Sequence, residues 1–304
     1  MKRRSSDSAA PTGAALRAAI DSGDANAIEA AFKAGNSAGV DAALLREGVL
    51  KLASLTTDRS PRLLVVWDFD WSLINENSDT YVIERLDPSG EIWRAAEKKM
   101  TEGMEWTALM NWAAGQLHAK GHSPQAIRDA LASAPVSDGA LAAVAAAQAA
   151  GAEQRILSDA NTVYIQTILE ARGLADAFTK VETNPAHFDA AGRLHIEPHQ
   201  PDGRPHDSPD CPPNLCKGTV LARWLEELQP STCVYIGDGG GDFCPATRLR
   251  VGDTLLARRA PHHSLLRRCR AEPARIRARV VEWGGNSDRG ARALAAGMSL
   301  ALGQ

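Results

Sequence analysis

Two aspartates one residue apart, Asp68 and Asp70, follow directly on an unbroken apolar run, Leu63-Leu64-Val65-Val66-Trp67. A carboxylate can act as a nucleophile, a neighbouring one can deliver or take a proton, and the two together can hold a divalent cation. Charges at the end of a buried strand need partners, and a metal ion is the natural one. Helix-capping aspartates in a turn are the plainer reading, which accounts for one aspartate more easily than for two. Ser72 follows the pair. Two more apolar runs end in the same manner. Arg155-Ile156-Leu157 passes into Ser158-Asp159-Ala160-Asn161, where a hydroxyl beside a helix start can donate to a phosphate oxygen. Cys233-Val234-Tyr235-Ile236 passes into Gly237-Asp238-Gly239-Gly240-Gly241-Asp242, whose glycines admit close backbone approach while two more carboxylates join the set. Lys217, in Cys216-Lys217-Gly218 at an expected helix start, is a cation suited to lie between phosphate and carboxylates.

Such a set needs strands that end along one edge. The three apolar runs read as strands buried on both faces, the parallel-sheet type. Thr179 to Glu182 reads as a further strand, Thr254 to Ala257 as the last, and residues 186–196 as a hairpin turning at Ala190-Ala191-Gly192. Helices are expected over about 161–172 and 217–228, and a long helical region over about 77–150. In that region Trp93, Met100, Met104, Leu109 and Trp112 recur at helical spacing as core, Ser123-Pro124 and Ser137 supply N-caps, and Gly151 closes the last helix. Strands alternating with helices argue for an α/β fold with helices on both faces of a parallel sheet. Residues 1–12 read as a polar tail, and Ala14 to about Leu55 as a helical extension rich in Ala, Leu, Glu and Lys. Residues 16–35 bear a faint likeness to one ankyrin repeat, but a lone repeat cannot bury its own face. The expected division is 1–60 for tail and extension, 61–78 with 151–304 for the core, and 79–150 for a helical insert.

Hydrophobic residues make up 44% of the chain and the formal charge is −3, so a packed core is expected and a nucleic-acid or polybasic membrane surface is not. No apolar run approaches the roughly 18–20 residues of a membrane span. Met1-Lys2-Arg3-Arg4 lacks the apolar segment of a secretory signal, and five cysteines suit a reducing compartment, so a cytoplasmic location is expected. Residues 258–279 hold eight arginines against Glu272 alone; with no aromatic stacking partners there, a solvated helical face is preferred to a nucleic-acid or lipid surface. Cys211, Cys216, His199 and His206 are zinc-ligand types at loose spacing. A loop with buried thiols is the preferred reading and a structural Zn²⁺ the second.

In their order along the chain, Asp-x-Asp-x-Ser, Ser, Lys and Gly-Asp-x-x-x-Asp, these motifs resemble the haloacid-dehalogenase superfamily over about residues 63–260. The resemblance implies a Rossmann-like core with a small helical cap inserted after the first strand, over 79–150. It implies Asp68 as nucleophile, forming an aspartyl phosphate, and Asp70 as general acid and base. It implies Mg²⁺ held by Asp68, Asp70 (through its carbonyl), Asp238 and Asp242, the last as ligand or support. Ser158, Lys217 and Ser72 would hold phosphate; Ser72 stands where threonine is commoner, and the hydroxyl is kept. Residues 68–79, 157–161, 184–188, 211–218 and 237–245 further resemble the phosphoethanolamine/phosphocholine phosphatase family, whose relatives are also linked to pyridoxal phosphate and thiamine monophosphate. The expected substrate is a small phosphorylated metabolite, phosphoethanolamine or phosphocholine first, then thiamine monophosphate, pyridoxal phosphate or pyrophosphate. Asp159, Asn161, Glu76, Asn77 and Asp79 are candidates to face a cationic headgroup, with Trp71 as a cation–π face; helix capping and N-terminal charge compensation are their alternatives. A non-catalytic phosphate-binding protein is disfavoured because binding alone has no use for Asp70, and a basic-surface binder leaves the acidic strand ends unexplained.

Overall fold

Leu63–Trp67 forms strand β1, and its alternating side chains enter two separate cores. Val65 and Trp67 pack with one apolar cluster, Leu64 and Val66 with another. Burial on both faces is the physical reason the run is apolar throughout. The computed structural model describes residues 10–24, 26–28, 30, 31, 34, 40, 41, 43–48, 51, 63–201, 203, 211–259, 261–284 and 288–303. The tail through residue 9, the expected end of the helical extension over 52–55, and His206 with most of its loop lie outside the described residues.

The chain divides into two units, 1–61 and 62–304. In the first, helix α1 (Ala10–Ser22) buries Leu16, Ala19 and Ile20 with Ile28. In the second, six parallel strands stand in the order β3-β2-β1-β6-β7-β8. They are β1, β2 (Glu153–Asn161), β3 (Lys180–Asn184), β6 (Thr232–Gly237), β7 (Thr254–Arg258) and β8 (Arg279–Trp283). The chain winds outward from β1 in one direction through β2 and β3, then returns to the other side of β1 with β6. The β1–β6 seam is thus a topological switch point, where ligands of open α/β sheets bind beyond the carboxyl ends. The expected hairpin is β4 (Ala186–Phe188) with β5 (Leu194–Ile196), paired antiparallel. The expectation that Thr254–Ala257 is the last strand is corrected: β8 follows it and pairs with β7.

Five helices connect β1 to β2: α2 (Ser78–Leu86), α3 (Glu91–Thr101), α4 (Trp106–Ala119), α5 (Pro124–Ala132) and α6 (Asp138–Ala149). Ser123 and Ser137 cap α5 and α6, their hydroxyls accepting from the Ala126 and Ala140 amides at 3.2 Å. Helix α7 (Thr162–Ala171) follows β2, and α8 (Lys217–Leu228) precedes β6. The short α9 (Phe243–Ala246), α10 (Ser264–Ala271) and α11 (Asp288–Leu302) complete the core, with α11 packed on α6. The arginine-rich segment makes internal contacts: the guanidinium groups of Arg268 and Arg275 lie 4.0 and 4.8 Å from the Phe243 ring centre, and Arg258 is buried.

Candidate active site

Register brings the acidic ends together. Trp67 pairs with Ile156 on β2 and Ile236 on β6, so Asp68, Ser158 and Asp238 follow at one edge of the sheet. The Asp68 amide continues the ladder by donating to the Ile236 carbonyl at 2.9 Å. Beyond it the chain turns tightly: Asp70 is extended (φ −68°, ψ 134°) and Trp71 takes the left-handed conformation (φ 56°, ψ 9°). A tryptophan there is strained by about 1–3 kcal/mol and needs outside support. Arg258, at the end of β7, supplies it by donating to the Trp71 carbonyl and to Asn75 Oδ1, while His262 stacks on the indole at 3.6 Å.

Lys217 Nζ donates to Asp68 Oδ1 at 2.7 Å and to Asp242 Oδ1 at 2.9 Å, and lies 3.8 Å from Asp159 Oδ1. Lys217 and the Phe69 amide both donate to the same oxygen of the Asp68 carboxylate, Oδ1. Asp242 is engaged on both oxygens: Oδ1 also accepts from the Tyr235 hydroxyl at 2.7 Å, and Oδ2 from the amides of Asp238 and Gly239 at 3.1 and 3.0 Å. Gly237 makes this possible, since a Cβ there would lie 2.7 Å from the Asp242 carboxylate. Ser78 holds Asp70, whose oxygens accept from the Ser78 amide at 2.9 Å and hydroxyl at 3.2 Å.

Charge is strongly unbalanced. A cleft of about 240 Å³ is lined by six aspartates (68, 70, 79, 159, 238, 242) and one lysine, Lys217, with Trp71, Asn77, Trp106 and Gly239 to Gly241. Burial, then the charge of Asp242, raise the Asp68 pKa well above the carboxylate range against the pull of Lys217. Burial, then Asp79, do the same to Asp70. Burial pushes Asp79 and Asp238 up to about 7. Burial opposes the Lys217 charge, but Asp242 and Asp68 outweigh it and hold its pKa well above the ordinary value. This excess of buried carboxylate, with Asp68, Asp238 and Asp242 oxygens all within 4.8 Å of one another, fits an oxygen-liganded divalent cation such as Mg²⁺.

Of the remaining sequence candidates, Ser158, Ser72, Asn161 and Glu76 fall outside this lining. Ser158 is fully buried, its hydroxyl accepting from the Ala160 amide at 3.2 Å, and Ser72 is buried with no hydrogen-bond partner for Oγ. Asn161 caps α7 through the Tyr164 amide, and Glu76 accepts from the Asn77 amide. Asn77 lines the cleft and also caps α2. Of the zinc candidates within the described residues, His199 pairs with Glu182 at 2.9 Å, while Cys211 and Cys216 meet Cys244.

The profile of the family described as Putative Phosphatase matches residues 63–294, the whole span that builds the sheet and the cleft. This chain belongs to that family. It is a phosphatase with a haloacid-dehalogenase-type fold. Within the family's curated relatives it is similar to "Inorganic pyrophosphatase 2" of Arabidopsis thaliana, 32% identical over 76% of this chain and 82% of the relative. It is similar also to "Phosphoethanolamine/phosphocholine phosphatase" of Homo sapiens, 33% identical over 74% of this chain and 85% of the relative. A solved HAD family hydrolase from Salmonella enterica shares the fold at a TM-score of 0.52, with 17% identity over 74% of this chain and 68% of that one. Four residues bearing on this phosphatase's site are not among the sequence candidates: Ser78, Trp106, Tyr235 and Arg258. Ser78 sits inside the resembling segment 68–79 and Tyr235 only seven residues before Asp242, so both were within reach of sequence reasoning; Trp106 and Arg258 act from a distant helix and strand. No described helix is long and apolar enough to cross a membrane.

Proposed function

We propose that this phosphatase hydrolyses a small phosphomonoester with a cationic headgroup, phosphoethanolamine or phosphocholine, through an aspartyl phosphate on Asp68. The observation that carries the headgroup reading is the acidic, aromatic cleft wall of Asp79, Asp159, Trp106 and Trp71 beside Lys217. A dianionic phosphate entering six carboxylates and one lysine needs more positive charge than the cleft lining provides. Asp68, the Asp70 carbonyl and Asp238 would hold Mg²⁺, which when bound neutralises phosphoryl and carboxylate charge. Asp242, satisfied on both oxygens, positions Lys217 and the glycine loop.

Asp68 attacks phosphorus with its Oδ2, the oxygen not taken by Lys217 and Phe69. Lys217 neutralises charge on the transferring group. Asp70, whose pKa burial and then Asp79 raise, would hand a proton to the leaving alkoxide and then accept one from the attacking water. Asp79, raised to about 7 by burial while Trp106 Nε1 donates to it at 2.8 Å, has no cationic partner among the described residues, and the headgroup would supply one. Helices α2–α5 serve as the lid over this wall. A second reading, thiamine monophosphate, rests on the same wall, since its thiazolium is also cationic and Trp71 and Trp106 offer ring faces.

The test is phosphate release with Mg²⁺ from phosphoethanolamine, phosphocholine, thiamine monophosphate, pyridoxal phosphate and pyrophosphate, beside Asp68→Asn as the blank. A kcat/KM of about 10⁴ M⁻¹s⁻¹ or more for one of the amine or thiazolium esters supports the reading. Preference for pyrophosphate, or full activity of Asp68→Asn, overturns it.

A further inference from the structure

A second cluster of chemically capable side chains lies apart from the cleft lining. Cys211, Cys216 and Cys244 form a buried group of their own. The Cys211 and Cys216 sulfurs are 3.3 Å apart and those of Cys216 and Cys244 3.9 Å, and all three lie within 4.8 Å of one another. These separations are too long for a disulfide bond, which is about 2.05 Å. They bracket the sulfur–sulfur edge of a tetrahedral zinc site, which is about 3.8 Å when zinc–sulfur bonds are about 2.3 Å.

The backbone is built to admit the third sulfur. A Cβ on Gly218 would overlap the Cys244 thiol and lie 3.1 Å from the Cys244 carbonyl carbon, so a glycine next to Lys217 is what lets α8 and the segment after Asp242 meet through this cluster. Packing alone explains one buried cysteine, which behaves as a small hydrophobe. It gives no reason for three to converge from two separate segments.

We propose that Cys211, Cys216 and Cys244 form a thiolate site for a soft divalent cation, zinc, that is separate from the carboxylate site. It would fasten the loop entering α8 to the start of α9. Those two segments carry Lys217 and Asp242, so the metal would hold the phosphate-facing lysine and its carboxylate partner at their 2.9 Å separation. Three thiolates leave a fourth position, for a solvent molecule or another donor. The proposal does not depend on the substrate reading, because its signals come from sulfur.

The full chain is expressed in zinc-supplemented medium and purified anaerobically without chelator, and its metal is counted by mass spectrometry. About one zinc per chain is expected, falling about ten-fold or more in Cys244→Ser and Cys211→Ser. Replacing zinc by Co²⁺ should give a sulfur-to-cobalt charge-transfer band in the near ultraviolet. That band should persist in Asp68→Asn, which alters only the carboxylate site. If the serine variants fail to fold, the wild-type cobalt band and a lower melting temperature after zinc chelation decide the matter. Reduced thiols with neither zinc nor a cobalt–sulfur band, or a Cys211–Cys216 disulfide in the isolated protein, overturn the proposal.

Discussion

Asp238→Asn in the metal-free protein probes how the acidic cluster is charged. Burial, then the charge of Asp242, push the Asp238 pKa from 3.8 up to about 7, against the pull of Lys217, Asp68 and Arg258. The native carboxyl therefore keeps, between those two pH values, a proton that the unfolded chain has released. Stability falls as pH rises through that window, and the cost is complete above about pH 7. At roughly 1.4 kcal/mol per pKa unit, the ionised group costs the metal-free fold on the order of 4 kcal/mol. Asparagine has the same shape without the charge. In chelator at pH 8 the variant should melt about 5 °C or more above the parent, taking 2–4 °C per kcal/mol for a unit of this size and halving for lost contacts. At pH 4 the two should nearly coincide. Calorimetry at both pH values in EDTA, then in Mg²⁺, is the assay. Mg²⁺ should raise the parent's melting temperature and leave the variant almost unmoved. A variant equally destabilised at pH 8 and pH 4 would refute the electrostatic account, whatever its activity.

Ser78→Ala removes the hydroxyl bond to Asp70 but keeps the amide bond, a loss of about 1 kcal/mol of positioning; kcat should fall about five-fold with KM unchanged, and a pure KM effect would count against Asp70 as the proton carrier. Asp159→Ala should raise KM for phosphocholine about ten-fold and leave a neutral-headed aryl phosphate unaffected; equal effects on both would remove Asp159 from the headgroup wall. Gly237→Ala places a Cβ 2.7 Å from the Asp242 carboxylate and should cost about 1–3 kcal/mol in urea melts while lowering kcat. Unchanged stability there would mean that Asp242 is not tightly seated.

Much of the sheet was legible because its inner strands are buried on both faces. That burial writes itself into residues 63–67 and 233–236 as unbroken apolar runs, and the polar residues that follow mark the active edge. β8 escaped notice for the converse reason: it is an edge strand, with Arg279, Val280 and Glu282 exposed, so it carries no such run. The pairs Asp68 with Lys217 and Asp70 with Ser78 join residues that lie within or beside the recognised motifs. Arg258 does not, because an arginine among eight in a basic stretch looks like solvated surface until the fold buries it against Trp71.

Residue types and spacing by themselves determined that carboxylates, a hydroxyl and a lysine would gather at the ends of parallel strands, since period, burial and turn chemistry are local properties of the chain. Tertiary structure alone decided how they are shared out. Asp242 spends both oxygens on Lys217, Tyr235 and two backbone amides, whereas Lys217 and the Phe69 amide meet Asp68 on Oδ1. It also left Ser158 and Asn161 outside the cleft lining and brought Cys244 to Cys211 and Cys216. Those outcomes depend on which segments the folded sheet places within a few ångströms of each other, and sequence separation carries no record of that distance.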